Sequence, residues 1–463
     1  MLPAPPVCYR AITARDRRFD GVLFTGVKTT GIFCRPICPA RTPLEKNVTF
    51  YVSAAAAIAA GFRPCLRCRP EVSPEAPAWR GTASTVDRAM RLIEAGALDQ
   101  GGVEQLAGRL GVSDRHLRRL FLDHLGATPV AVAQTRRALF AKRLITESAL
   151  SFTDIAFAAG YSSVRRFHQS MHTLYGFNPT ELRRQTRTTA SGAIEFVLPY
   201  RPPYHWPAVL AFLAPRAITA CETVTPGCYR RVEPEFSVEV RHDDQSEALR
   251  ARIATTDTRL LRSIVDRLRR FCDLAADGDT IASDLERSPM LREVVRRQRG
   301  IRVPGCWDPF ELIIRAILGQ QVTVKGASTL MNRLVDQFGR PSAAVLADAA
   351  VEKIGLPGKR AETIRGVARA VASGELPLDG SIPVEEAIER MVALPGLGPW
   401  TANYVAMRAL GAPDAFPASD IGLLKASGCG SARELERAAE AWRPWRSYAA
   451  FYLWNHLGAH EKA

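Results

Sequence analysis

Residues 394–402 read LPGLGPWTA, and twelve residues further on 414–420 read DAFPASD. A Gly-x-Gly hairpin between two helices can bring backbone N–H groups against a phosphate, because glycine permits the close approach. By itself the signal is moderate, since such hairpins also occur in modules that only bind. The surrounding pattern gives it a setting. From Asp308 onward the apolar residues recur with helical spacing, as in PFELIIRAILGQQ and AETIRGVARAVA. Upstream, IEFVLPYRPPYHW, TVTPGCYRRV and FSVEV read as strands. The back half is therefore expected as a small mixed α/β lobe followed by a larger helical lobe.

A chain of 463 residues exceeds what one core supports, so three or four domains are expected. Its 47% apolar and 24% charged residues exclude a disordered or fibrous protein. No apolar run reaches bilayer length, and Met1–Arg10 has no secretory pattern, so a cytoplasmic, nucleoid-associated protein without a membrane partner is expected. The anomaly is charge: 62 Lys+Arg against 47 Asp+Glu, net +15, which points to a polyanion. Residues 1–190 hold 27 basic and 14 acidic residues, whereas residues 191–463 hold 35 and 33. An Arg-rich solvated surface would explain the preference for Arg over Lys, but not that asymmetry.

Two stretches read as linkers, 70–84 (PEVSPEAPAWRGTAS) and 185–193 (QTRTTASGA). Before the first, Cys34-x3-Cys38 and Cys65-x2-Cys68 form two close pairs, the arrangement of a tetrahedral zinc site. Spacing alone favours a structural role for the ion. The other six cysteines read as small buried hydrophobes. TTGIFCRPICPAR, NVTFY and GFRPCLRCRP resemble the N-terminal domain of Ada-type adaptive-response proteins over about residues 8–72. That resemblance implies one zinc held by four thiolates. It makes Cys34 the acceptor of a methyl group from a DNA methylphosphotriester, and Arg41 a phosphate contact.

Residues 103–124 (VEQLAGRLGVSDRHLRRLFLDH) place a Gly turn between two helices, with Ser113 as the second helix's N-cap. Residues 154–173 repeat the theme, with Gly160 as the turn and Ser162 as the expected cap. Such a pair, joined by a long helix at about 130–147, resembles the AraC-type DNA-binding domain over about residues 85–184. Leu117, Leu120 and Phe167 are expected to face inward. Arg115, Arg118 and Arg119 on the first recognition helix, and Arg165, Arg166 and His168 on the second, are expected to be available to DNA.

In the back half, LPGLGPWTA paired with DAFPASD resembles the helix-hairpin-helix glycosylase superfamily. ILGQQVTV and WRPWRSYAAFYLW narrow this to AlkA-type 3-methyladenine DNA glycosylases, over about residues 192–458. The resemblance implies Asp420 as the catalytic carboxylate, and Trp400, Tyr404 and Trp454 as the base pocket. It puts Gln320 and Gln321 in a loop that wedges into the duplex, and Gly396, Gly398 and Thr401 against the DNA backbone. The aromatics would also suit a core, and Asp414 reads as a cap or turn residue. Relatives that nick the strand carry Lys where Trp400 stands, which implies a monofunctional enzyme. Only Cys429 follows the hairpin, so no iron–sulfur cluster is expected.

The expected fold is multi-domain and mainly α with small α+β parts. Its modules are a zinc-binding domain (1–75), a double helix-turn-helix domain (84–186), a mixed α/β lobe (192–298) and a helix-hairpin-helix glycosylase lobe (299–463). The function expected is that of a DNA-alkylation sensor, regulator and repair glycosylase. Alkylated and promoter DNA are its partners, RNA polymerase is a further one, and the chain acts as a monomer. An alternative is a regulator whose back half only binds damaged DNA. Reversal of O6-methylguanine is disfavoured, because the Pro-Cys-His-Arg run it uses is missing from the sequence.

Overall fold

A computed structural model describes residues 2–74, 84–184, 193–243 and 245–460. It is mainly helical with small sheets, and divides into two compact units: Met1–Arg201 with Pro234–Asp266, and Pro202–Glu233 with Arg267–Ala463. Among the described residues no helix is long and apolar enough to cross a membrane.

The first unit opens with four strands: β1 (Phe24–Val27), β2 (Ile32–Cys34), β3 (Val48–Tyr51) and β4 (Arg63–Pro64), in the order β3-β1-β2-β4. β2 and β4 run parallel, with Phe33 opposite Pro64. That register brings out Cys34 and Cys65, the next residues of the two strands, side by side. The Cys65 N–H, bonded to Phe33 O at 3.0 Å, continues the ladder.

The helix-turn-helix pairs follow as Val103–Arg109 with Asp114–Leu125, and Phe152–Ala158 with Val164–Tyr175, bridged by the helix Pro129–Glu147. Leu106, Leu117 and Phe121 are buried in the first pair, Ile155, Phe167 and Met171 in the second. Ser113 caps its helix as expected, accepting from His116 N–H at 3.2 Å. The second cap is Ser163, not Ser162: Ser163 Oγ accepts from Arg166 N–H at 3.3 Å. Ser162 lies one residue too early for that bond, and instead accepts from the Arg166 guanidinium at 3.4 Å.

Five more strands follow: β5 (Ile194–Pro199), β6 (Glu222–Thr225), β7 (Cys228–Val232), β8 (Phe236–Asp243) and β9 (Ala248–Thr255). β5, β8 and β9 belong to the first unit, where β9 pairs antiparallel with both others through Phe196↔Ala251 and Val240↔Ala251. Their alternation buries Phe196, Leu198, Val238, Val240 and Ile253. Phe196 stacks on Phe140 of the bridging helix at 6.1 Å, and the Arg143 guanidinium lies 5.0 Å from the same ring.

In the second unit, β6 and β7 form a hairpin. The helix Pro309–Leu318 is apolar nearly all round and buried, which makes it a central packing element. Its one acidic residue, Glu311, is offset by Arg231 at 2.7 Å; Arg231 also pairs with Glu222 and Glu233.

The expected linkers differ in part. Residues 70–74 are ordered structure: Pro70–Val72 form a 3-10 turn, and Glu71 is buried against Lys142. A buried ion pair ties this segment down where composition suggested freedom. The rest of the first stretch (75–83) and most of the second (185–192) lie outside the described residues.

Candidate functional site

The four expected ligands converge. The Sγ atoms of Cys34, Cys38, Cys65 and Cys68 all lie within 4.8 Å of one another. A tetrahedral zinc with Zn–S near 2.3 Å needs sulfurs about 3.8 Å apart, so the cluster fits the ion. Each strand end delivers one thiol, and the following turn returns a second: Cys38 N–H reaches Arg35 O at 3.2 Å, and Arg69 N–H reaches Cys65 O at 3.2 Å. Hydrogen bonds among the thiols, that with Cys38 first, push Cys34 up. The bond with Cys34 pushes Cys65 down and Cys38 down to about 7. Four neighbouring thiols cannot ionise independently, and a divalent cation is what allows four thiolates together.

The thiols are not equivalent. Cys65 and Cys68 are buried, whereas Cys34 and Cys38 are partly exposed. The Arg35 N–H donates to Cys68 Sγ at 3.3 Å, and the buried Arg35 guanidinium is held by Asp20 and by Cys68 O. Arg41 stands exposed in the loop after Cys38.

On the helix-turn-helix pairs, Arg115, Arg118, Arg119, Arg165 and Arg166 are exposed. Arg118 pairs loosely with Asp114 at 3.6 Å, and Arg119 bonds His116 Nδ1 at 3.0 Å. Exposed pairs of this kind exchange readily for phosphate oxygens. His168 differs from the expectation. It is half-buried, with its ring edge-on to Phe167 at 5.2 Å and to Phe152 at 6.1 Å, so packing claims much of it.

The hairpin lies between the helices Val384–Ala393 and Pro399–Arg408. Gly396 has φ +87°, and a Cβ there would sit 2.0 Å from Thr363 Oγ1, so glycine is required. Gly398 caps the second helix, and a Cβ there would meet nothing within 4 Å, which leaves that helix N-terminus open to an anion. Thr401 is buried, and its hydroxyl accepts from Gln320 Nε2 at 3.2 Å; it braces the hairpin and cannot itself face a phosphate. Gln320 also donates to Gly396 O at 3.0 Å, so it ties its loop to the hairpin. Gln321 is the exposed one, in a left-handed conformation (φ +57°), followed by the exposed Val322. The two glutamines thus divide the expected wedge between a strut and a tip.

Asp420 caps the helix Ile421–Ser427. Its Oδ1 accepts from Leu423 N–H and from Trp454 Nε1–H, and its Oδ2 from Trp400 Nε1–H, each at 2.9 Å. Three N–H donors orient this half-buried carboxylate. Trp400 and Tyr404, one turn apart, stack at 5.3 Å and 6°. No base can enter between them. Tyr404 is only 9% exposed and packs against Trp400. Burial opposes ionisation of its phenol, but Arg408, bonded at 2.9 Å, and Arg216 outweigh this and leave it lowered. Trp454 meets Tyr404 edge-on at 6.3 Å. The indole N–H clamp on Asp420 was not foreseen: its members lie 20 and 34 residues away, and no local signal joins them. Asp414 lies in a turn, as expected. Its carboxylate is held by Arg443 and by Arg446, the latter at 2.8 and 2.9 Å.

Four family models match in chain order: the metal binding domain of Ada at residues 7–71, a helix-turn-helix domain at 106–185, the AlkA N-terminal domain at 195–308, and the HhH-GPD superfamily base excision DNA repair protein at 314–442. A Mycobacterium tuberculosis protein described as a probable bifunctional transcriptional activator/DNA repair enzyme AlkA is 41% identical, covering 97% of this chain and 96% of its own. DNA-3-methyladenine glycosylase 2 of Escherichia coli is 33% identical over 56% of this chain and 96% of its own. Among solved structures, a 3-methyladenine DNA-glycosylase from Archaeoglobus fulgidus shares the fold, with TM-score 0.51 at 21% identity over 58% of this chain and all of its own. With its thiol cluster, two helix-turn-helix units and clamped aspartate in this order, the chain belongs to the family of bifunctional proteins that join an Ada-type transcriptional activator to an AlkA-type DNA repair enzyme.

Proposed function

We propose that this protein senses DNA alkylation, regulates transcription in response, and hydrolyses the N-glycosidic bond of alkylated purines such as 3-methyladenine. The observation that carries the enzymatic reading is the Asp420 carboxylate clamped by Trp400 and Trp454. An enzyme acting on a duplex base first extrudes it. Gln321 and Val322 fill the gap left in the stack, and the N–H groups around Gly396 and Gly398 hold the phosphate. Alkylation at N3 makes adenine cationic, and the face of Trp400 turned away from Tyr404 attracts a cation. The C1′–N bond then breaks, and its electron pair neutralises the departing base. Asp420 stabilises the positive sugar that remains, and water adds to C1′ and loses its proton. No amine stands at position 400, so no Schiff base forms and the strand is not cut by the enzyme.

The sensing step uses Cys34. Its thiolate attacks the methyl carbon of a methylphosphotriester: the S–C bond forms, the C–O bond breaks, and the phosphodiester leaves with the electron pair. Zinc, when bound, keeps the four cysteines deprotonated at neutral pH. A site of four thiolates on a divalent ion carries about −2, and methylating one lowers this to about −1, which weakens repulsion of DNA. Arg41 contacts a phosphate beside the reacting one, and the exposed arginines of both recognition helices hold promoter DNA. The activator works as a monomer and communicates with RNA polymerase. We assign the module boundaries at 1–75, 84–186, 192–298 and 299–463.

The test is release of 3-methyladenine from alkylated duplex by the intact protein and by Asp420→Asn. Release by the wild type that the variant has lost supports the reading. A wild-type protein that binds the damaged duplex but frees no base would establish the alternative, a regulator whose back half only recognises damage.

A further inference from the structure

In the first unit, the zinc module meets the C-terminal ends of both recognition helices. The first, Asp114–Leu125, ends at Gly126. Its terminal carbonyl, Leu125 O, accepts from Ser53 Oγ at 2.7 Å, and Ser53 is the N-cap of the zinc-module helix Ala54–Ala59. A Cβ at Gly126 would stand 3.0 Å from the Ala56 Cβ, so the two modules are in direct contact there. The second, Val164–Tyr175, ends at Gly176, where the Arg63 guanidinium of β4 comes within 3.0 Å of a Cβ position. A cation at a helix C-terminus offsets the partial negative charge of its free carbonyls.

A buried charge network joins the same parts. Three residues after the ligand Cys68, Glu71 has its Oε1 bonded to Arg69 at 3.1 Å and to Lys142 of the bridging helix. Arg69 also reaches Glu147 on that helix, and Glu147 pairs with Arg143 at 3.2 Å. Glu71 and Lys142 are both buried. Among the described residues the other carboxylate oxygen, Glu71 Oε2, has no partner, and neither has the buried hydroxyl of Tyr175, the last residue of the second recognition helix. Arg69 adopts φ +52°, a conformation that a non-glycine residue holds only when its surroundings impose it. Its neighbours on either side are a zinc ligand and a proline, and its guanidinium is fixed by two carboxylates. Buried ion pairs of this sort do little for stability, but they fix one arrangement, because leaving any member unpaired is costly.

We propose that the zinc module is a structural part of the DNA-reading head, a base beneath both recognition helices. Closure of the four-thiolate site sets the path of residues 65–71. That path places Glu71 against Lys142 of the bridging helix, while Ser53 of the same module holds Leu125 O. Zinc occupancy therefore fixes the two recognition helices relative to each other and raises operator affinity before any methyl transfer has occurred. This rests on the reading of these helices as the promoter-binding element.

The experiment uses the full-length protein in two arms. In the first, amide hydrogen exchange is followed without DNA, for the zinc-loaded protein, for the protein after zinc chelation, and for Glu71→Gln and Ser53→Ala. Chelation should speed exchange in both 114–125 and 164–175. Glu71→Gln should act on the bridging helix 129–147 and through it on 164–175, and Ser53→Ala, a mild change at the module boundary, mainly on 114–125. In the second arm, a duplex selected from a random library by the zinc-loaded wild type is titrated with each protein. Affinity should fall about tenfold for Glu71→Gln, as for loss of one buried hydrogen-bonded charge. The Glu71→Gln/Lys142→Met double variant, which removes both charges, should lose less than the sum of the two single changes. Unchanged exchange in both helices on chelation overturns the proposal. So does unchanged duplex affinity in both single variants. If the wild type selects no duplex, it is the promoter-binding reading that fails, and the exchange arm still decides whether zinc holds the helices.

Discussion

The thiol cluster and the Asp420 site solve one problem by opposite routes. Each must present a reactive anion near a polyanion. In the zinc module four thiols stand within 4.8 Å of one another, and a shared cation would let them ionise together. In the glycosylase half the anion needs no making, and the structure instead aims it with two indole N–H groups and one backbone N–H. The first site is assembled from two short segments by a single strand register, Phe33 against Pro64. The second draws Trp400, Asp420 and Trp454 from three separate helices. The first site is set by local chain geometry, whereas the dispersed one depends on the packing of a whole lobe.

The largest effect should come from Cys34→Ala. If Cys34 is the acceptor, methyl uptake from methylphosphotriester DNA falls to nothing, read by mass spectrometry of the tryptic peptide; uptake on Cys38 instead would break the distinction between the thiols. Next, Asp420→Asn should lower 3-methyladenine release on the order of 10²–10³-fold, as when a group that stabilises transition-state charge is lost. A smaller change separates aiming from walling: Trp454→Phe keeps an aromatic ring but removes one N–H donor to Asp420. The rate should fall about tenfold with KM little changed, the worth of one charge-assisted bond. A drop expressed wholly in KM would make Trp454 a wall and nothing more.

The smallest effect concerns a second carboxylate of the same unit. Burial pushes Asp273 up to about 6, with Arg302 and the Val303 N–H acting against the shift. A carboxyl whose folded pKa is raised binds its proton more tightly in the folded state. It therefore contributes stability at pH 4 that is lost as pH rises through about 6. Asp273→Asn should accordingly gain roughly 1 kcal/mol relative to wild type on going from pH 5 to pH 8 in urea unfolding. No pH dependence in that difference would mean that Asp273 is as well solvated as an ordinary carboxylate.

Much of this was legible along the chain where the physics is local. Cysteine spacing announces a metal, a Gly turn followed by Ser announces a helix start, and Gly396 announces a close approach. The failures share a cause. Residues 70–74 looked like linker because Pro, Glu and Ser are linker residues. Their order comes from Lys142, 71 residues from Glu71, whose burial no composition reveals. Gln320 and Gln321 are adjacent and identical, yet one braces the hairpin and the other is its exposed neighbour. Only the position of Gly396 and Thr401 in space separates them. Ser162 and Ser163 differ in the same way by one residue of register. Pairings far apart in sequence carry no periodic signature, and the Asp420 clamp consists of such pairings.

On the proposed function, one chain carries two chemically independent anionic centres. The most direct measurement offers the intact protein one duplex bearing both a methylphosphotriester and 3-methyladenine, and reads Cys34 methylation and base release from the same sample. Cys34→Ala should lose methylation and keep base release, and Asp420→Asn should do the reverse. A folded variant of either kind that loses both signals, or an Asp420→Asn protein that releases base at the wild-type rate, would contradict the proposed function.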